Sequence, residues 1–278
     1  MTSSRCYGTK GSPQASFVVP TFNSARTIDA CLASIVAQRD ARVELIVVDN
    51  HSTDGTVELA QSWTPSVETF GPERCAQRNH GARVAAGDTI IFVDSDMVLE
   101  PNVAREALEV LDQDQALGSL VIPERAFGSG PWIGARRLEK DSYVGDASVE
   151  AARVFRRAAF DQVGGYDEAL LAAEDWDLAD RVVDTGWSTG RVTSVAWHDE
   201  GRISLGVMFA KKRYYGATYG AYRRRRQQGR SVGVGRARPF VRQMVRSPVR
   251  GTGLVVLKSV EAAGFAMGLR ESRREAGP

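Results

Sequence analysis

Cysteine is scarce and badly placed for pairing. The 278 residues hold three, Cys6, Cys31 and Cys75, an odd number at wide spacing with no C-x-x-C. A disulfide framework and a cysteine zinc site are therefore not expected, and Cys31 reads as a small apolar residue on a helix face. A glycine-rich phosphate loop is also missing. After the first apolar run, Ser16-Phe17-Val18-Val19, the chain continues Pro20-Thr21-Phe22-Asn23, with no G-x-G-x-x-G and no Walker lysine. That argues against a dinucleotide oxidoreductase and against a P-loop enzyme. Met1 to Gln14 is polar and lacks the apolar core of a signal peptide. The longest late apolar stretch, Leu254 to Leu269, is interrupted by Lys258 and Glu261 and falls short of the ~20 residues of a spanning helix. The expectation is a cytoplasmic protein that touches a bilayer as a peripheral partner without crossing it. Finally, no Asp or Glu occurs between Arg202 and Val260, where 15 Lys and Arg fall. Residues 1–201 carry 18 basic against 31 acidic groups, so the overall +2 conceals two surfaces of opposite sign.

What is present is ordinary for a globular chain: 43% apolar and 25% charged residues. The length suits one large α/β domain with an appendage, or two small domains. Ser16–Val19, Val43–Val48 and Thr89–Val93 read as buried strands, with Leu120-Val121-Ile122 as a further one. Ile28, Leu32, Ile35 and Val36 recur at helical spacing, as do Val103, Ala107, Leu108 and Leu111 behind Pro101. This alternation predicts a mostly parallel sheet with helices on both faces. After Arg202 the texture changes. Leu205, Met208, Tyr215, Tyr219 and Tyr222 share a helical face beside Lys211, Lys212 and Arg213. Arg223–Arg226 and a glycine-rich break, Gly229–Gly235, follow. Phe240, Val241, Met244 and Val245 then form another apolar face flanked by Arg238, Arg242 and Arg246. Residues 1–201 are read as the catalytic domain and 202–278 as a basic helical appendage.

In an open parallel sheet, ligands bind beyond the C-terminal ends of the strands. Three strands here end in polar groups: Pro20-Thr21-Phe22-Asn23, Asp49-Asn50 and Asp94-Ser95-Asp96. One strand-ending Asp is commonly a turn former, but three in consecutive strands would line one crevice. Two carboxylates flanking a small residue suit a hard divalent cation, Mg²⁺ or Mn²⁺; a solvated acidic turn is the plainer alternative. Glu174-Asp175-Trp176-Asp177 opens a helical pattern through Leu178, Val182 and Val183. Its acids either complement the helix dipole or supply a general base, and sequence leaves both open.

In order along the chain, VVPTFN, VVDNHSTDGT, Arg78-Asn79-His80-Gly81, the strand ending in DSD, Val163-Gly164-Gly165-Tyr166-Asp167, EDWDLADR and Trp197-His198 resemble the family-2 glycosyltransferases of GT-A, Rossmann-like fold. The resemblance implies that Pro20, Thr21, Asn23, Asp49 and Asn50 lie at the nucleotide, with Asp49 on its base. Arg78 approaches the base or phosphates, and Asp94 with Ser95 faces the ribose or the metal. Asp96 is then the principal metal ligand, with Asp94 and His198 beside it. Asp175 is the base, with Glu174 holding the acceptor. The chain departs from the family at Ser24, where relatives often carry Glu after Asn, which loosens the nucleotide contacts implied there. Gly164 and Gly165 should permit a tight turn and Tyr166 should pack; His51 and His80 read as turn or surface residues.

The reaction so implied is inverting transfer of a sugar from a nucleotide donor, uridine preferred over guanosine, onto a hydroxyl of a lipid-linked or surface-glycan precursor. The acid-free basic stretch suits anionic lipid headgroups better than nucleic acid. A sugar nucleotidyltransferase, which would carry a glycine- and arginine-rich first loop, and a non-catalytic nucleotide-sugar or nucleic-acid binding module remain as alternatives.

Overall fold

Strands β2 (Ala15–Thr21) and β3 (Val43–Asp49) are buried at every position, the signature of parallel strands covered on both faces. A computed structural model of the protein describes residues 6–7, 11–146, 149–225 and 247–275. The chain forms two compact units: Met1–Pro123, Ala151–Glu168 and Glu174–Asp199 in the first, and Glu124–Glu150, Ala169–Ala173 and Glu200–Pro278 in the second.

The first unit holds an eight-stranded sheet. The strands in chain order are β1 (Cys6–Tyr7), β2, β3, β4 (Val67–Thr69), β5 (Thr89–Phe92), and then, past β6 (Met97–Leu99) outside this sheet, β7 (Leu117–Val121), β9 (Ala152–Arg156) and β10 (Ser188–Arg191). Their spatial order is β1-β3-β2-β5-β9-β7-β10, with β4 beside β3. β2 runs parallel to β3 and β5, β3 to β4, and β7 to β10. β9 lies antiparallel between β5 and β7. The two-residue period of the strands then builds two cores. Phe17, Val19, Leu45 and Val47 point to one face, with α1 (Ile28–Val36) and α4 (Val103–Gln113). Val18, Ile46 and Val48 point to the other, with α3 (Arg74–Val84), α6 (Arg157–Gln162) and α7 (Glu174–Asp184). The remaining helix of this region is α2 (Thr56–Trp63). Cys31 and Cys75 are buried thiols.

One polar tie fixes the route from β10 toward the site. Glu106 of α4 accepts from Thr193 N (2.9 Å), Thr193 Oγ1 (2.7 Å), Ser194 N (2.9 Å) and Ser194 Oγ (2.7 Å). Burial opposes its ionisation, but the Ser194 and Thr193 donors prevail and hold its pKa at about 2. In the unfolded chain the carboxyl takes its proton near the ordinary 4.5. This contribution to stability is therefore whole above that value and is lost as pH falls toward 2. Glu106→Gln is expected to lower unfolding stability at pH 7 by about 0.5–1.5 kcal/mol, since solvent screens much of the charge. Urea titrations should find the gap between variant and wild type narrowing at pH 3.

The second unit contains β8 (Glu124–Ser129), α5 (Ile133–Tyr143), α8 (Leu205–Arg225) and α9 (Pro248–Glu275). A small core of Ala135, Met208, Leu254 and Leu257 joins three of the helices. α8 and α9 approach closely because Gly216 faces the Phe265 carbonyl and Gly268 the Arg213 carbonyl, where no Cβ fits. The helical reading thus holds for Leu205–Tyr219. Phe240, Val241, Met244 and Val245, with Arg238, Arg242, Arg246 and the Gly229–Gly235 stretch, lie outside the described residues. The Leu254–Leu269 run is by itself too short to span a membrane. It lies within a longer helix, and Pro248–Ser272 is long and apolar enough for that by length and composition alone.

Candidate active site

The carboxyl ends of β2, β3 and β5 converge as the strand-end pattern predicts. Thr21 and Asp49 are register partners, and Thr21 Oγ1 donates to Asp49 Oδ1 at 2.7 Å. Ser52 donates to the same carboxylate through Oγ and, at 2.8 Å, through its backbone N. Asp49 is buried and committed to binding the β2 loop to the β3 loop. Asn23, in a left-handed conformation (φ 49°), completes the clamp: its backbone N donates to Ser52 Oγ at 2.8 Å, and Thr53 N donates to its Oδ1 at 2.9 Å. Asn50 receives no ligand-like isolation either, since its side-chain amide donates to Pro72 O. Pro20 is a buried strand residue paired with Val48. Ser24, the departure from the family pattern, meets Ser95 hydroxyl to hydroxyl at 2.8 Å.

Arg78 is the centre of the arrangement. It is 1% exposed on α3, a helix brought close to β2 because Gly81 faces Val18 with no space for a Cβ. Its Nη2 donates to Asp94 Oδ1 at 2.7 Å and its Nη1 to Asp175 Oδ1 at 2.9 Å, with Glu174 Oε1 3.4 Å away. The Tyr166 ring lies 5.1 Å from the guanidinium carbon. Tyr166 is set there by Asn79, whose Nδ2 donates to Tyr166 O (2.9 Å) and whose Oδ1 accepts from Tyr166 N (2.8 Å). Gly164 and Gly165 make the turn at φ 74° and 73°, a region open to glycine without strain. Arg78-Asn79 and Gly164-Gly165-Tyr166 thus form one device.

The acidic residues separate by environment. Asp94 also pairs with Arg153 Nη2 at 3.2 Å. Burial would raise its pKa, yet Arg153, Arg78 and Arg74 outweigh it and hold the carboxyl far below the usual range. Glu174, 3% exposed, forms an ion pair with Arg74 Nε at 2.7 Å; burial and then the Asp175 charge push its pKa up. Asp175 is more open. Its Oδ1 faces Arg78, and no described residue donates to its Oδ2. Asp96 Oδ2 lies 3.0 Å from His198 Nε2, while its buried Oδ1 has no hydrogen-bond partner among the described residues. His198 is placed by antiparallel pairing of β11 (Ala196–Arg202) with β6, opposite Met97. Beside it, Asp199 accepts from the exposed Arg26 Nη1 at 2.6 Å.

Among the predicted residues, Arg78, Asp94, Glu174 and Asp175 meet at one guanidinium, and Asp96 meets His198. Thr21, Asn23, Asp49 and Asn50 form the loop clamp next to them. Arg26, Arg74, Arg153 and Asp199 carry much of the electrostatics and were not singled out from sequence. Arg74 was findable, because it lies four residues before Arg78 on the same helix face. Arg153 was not, since nothing local links it to a strand end 59 positions earlier.

The family model for glycosyl transferase family 2 matches residues 16–164. A PGL/p-HBAD biosynthesis glycosyltransferase of Mycobacterium tuberculosis (strain ATCC 25177 / H37Ra) is 28% identical over 178 residues, 60% of this chain and 68% of that protein. The O-antigen chain rhamnosyltransferase WbaN of Salmonella anatum is 24% identical over 199 residues, 63% of this chain and 62% of its own. Among solved structures, the mannosyltransferase PcManGT from Pyrobaculum calidifontis, in complex with GDP-Man and Mn²⁺, is similar at TM-score 0.56 and 19% identity. That match covers 94% of this chain and 80% of that one. S. aureus TarS 1–349 in complex with UDP gives 0.55 and 17%, with 94% and 92% covered. The nucleotidyltransferase and binding-module alternatives fall away, and the chain belongs to glycosyl transferase family 2 as a glycosyltransferase of GT-A fold.

Proposed function

We propose that this enzyme transfers a sugar from a nucleoside diphosphate donor, a uridine nucleotide, to an acceptor hydroxyl by single displacement with inversion. The observation that carries the reading is the buried Arg78, whose guanidinium holds Asp94 and Asp175 on its two ends. The proposed donor-side strand end and the proposed base thereby share one anchor. Complexes of structural neighbours with UDP and with GDP-Man support a nucleotide donor. The O-antigen chain relative supports a lipid-linked or surface-glycan precursor as acceptor.

Of the acidic pair, Asp175 is assigned as base and Glu174 as brace. The Oδ2 of Asp175 is left to take the hydroxyl proton as the hydroxyl attacks the anomeric carbon and the bond to the diphosphate breaks. Glu174 is occupied by Arg74 and Arg78. The unpartnered Asp96 Oδ1 beside His198 fits a divalent cation, Mg²⁺ or Mn²⁺. When bound, such an ion offsets negative charge growing on the departing diphosphate. No group of three or more His, Cys, Asp or Glu is placed to enclose a metal among the described residues, so water and the donor's phosphates would have to complete the shell of such a cation. Asp94, tied to Arg78 and Arg153, serves better as a fixed wall than as a second ligand. Arg26, exposed beside Asp199, is assigned as a further cation for the donor's phosphates. Thr21, Asn23, Asp49 and Asn50 shape the nucleotide's floor. The catalytic region is assigned to residues 1–201, and residues 202–278 bring the enzyme to the cytoplasmic face of an anionic membrane.

The test is a thermal-shift screen of UDP-sugars and GDP-mannose with Mn²⁺. Saturation at about one hundred times Kd should stabilise the protein by ~2.7 kcal/mol, and excess chelator should remove the shift and the transfer together. Full turnover in chelator would defeat the cation assignment.

A further inference from the structure

Helix α9 buries Leu254 and Leu257, as a helix in water would, but its outward face lacks charge. Its mid-helix charges turn into the second unit. The Lys258 ammonium contacts Glu139, Glu261 Oε2 (2.8 Å) and Tyr143 Oη (3.3 Å). Glu261 Oε1 accepts from Arg136 Nη2 at 2.9 Å. Glu139 and Glu261 are buried, and Arg136 also reaches Glu200 Oε1 at 3.5 Å. The outward positions are uncharged instead. Every exposed α9 residue between Arg250 and Arg270 is Thr, Val, Ser, Ala or Met. Val249 is 85% exposed, Val255 49% and Met267 44%. A solvated helix normally shows charge outward; here the partly exposed Lys258 is engaged by the buried Glu139 and Glu261, and about 22 Å of the outward face is free of charge.

We infer that this face of α9 docks on an anionic lipid bilayer, lying in the headgroup–acyl boundary with Val255 and Met267 toward the chains. The inference rests on the membrane reading above and names the element that makes the contact. Charge selects the occupant. Arg250 and Arg270 bracket the face, and no acid occurs between Arg202 and Val260. Arginines at each end can reach headgroups while their stems follow the apolar surface. A second copy of the chain would bring the same basic stretch against itself, which like-charge repulsion disfavours. The buried ion pairs explain how a helix apolar enough to span a bilayer stays docked in the unit. Drawing it out would leave Lys258 without Glu139 and Tyr143, and Glu261 without Arg136.

The test uses the full chain and flotation with phosphatidylcholine vesicles, with and without phosphatidylglycerol. Wild type should float with the phosphatidylglycerol vesicles. Val255→Asp with Met267→Asp should lower the partition coefficient at least tenfold, with unchanged thermal midpoint and unchanged donor binding, because both positions are exposed. A fluorophore on Ser259→Cys should shift to the blue on vesicle addition. Undiminished flotation of the double variant would overturn the assignment to α9 and leave the membrane reading standing. Failure of wild type to float at low salt would overturn both. A wild-type dimer in light scattering that the double variant makes monomeric would show the face to be a self-interface.

Discussion

Asp175→Asn is expected to lower transfer by about 10²–10⁴-fold, the usual contribution of a positioned base, while nucleotide-sugar affinity stays within twofold. The substitution preserves shape, and an amide oxygen can still accept from Arg78. The change therefore falls on the one atom left open, Oδ2, and not on the scaffold. The neighbouring Glu174→Gln supplies the contrast. Glu174 is buried against Arg74 and Arg78, so its replacement should show first as lost stability and only secondarily as lost rate. Single-turnover rates at saturating donor, measured for both variants, check the division. Turnover of Asp175→Asn within tenfold of wild type would remove it from the chemistry.

Arg78→Met should destabilise the enzyme by about 3–5 kcal/mol, the cost of breaking a buried ion pair by removing one partner, here the cation of the buried Glu174. Three acids lose a partner at once: Asp94, Glu174 and Asp175. Arg74 and Arg153 still flank Glu174 and Asp94, which keeps the loss near that range. Asp94→Asn in the same background should recover part of it, with a coupling of about 0.5–3 kcal/mol in a double-mutant cycle. Equilibrium unfolding in urea measures both. A loss under 1 kcal/mol would mean that the guanidinium is a ligand contact lent to the interior and not its anchor.

The two residues of the DSD motif show where sequence stops being sufficient. They look equivalent in the chain, two carboxylates around one serine. In the folded protein Asp94 belongs to Arg78 and Arg153, while Asp96 turns to His198 and keeps an oxygen open. Glu174 and Asp175 divide in the same way, one inward and one toward the opening. The motif that carries Arg78 implies an approach to the nucleotide; only the fold shows that its guanidinium also meets Asp94, Glu174 and Asp175. β9 escaped notice for a related reason. It is five residues long, and a short apolar run does not reveal that its partners will be antiparallel.

The sequence by itself determined the parallel strands, the helices on their two faces and the polar strand ends, because these follow from periods of two and 3.6 residues and from turn chemistry at strand termini. It also carried the ordered motifs by which the family is recognised. The tertiary structure decided which charges meet: Arg78 with Asp175 across 97 positions and Asp96 with His198 across 102. It decided too which side of α9 holds the ion pairs. Such partners are chosen by how elements pack, and burial then sets which carboxylate is braced and which keeps an oxygen open.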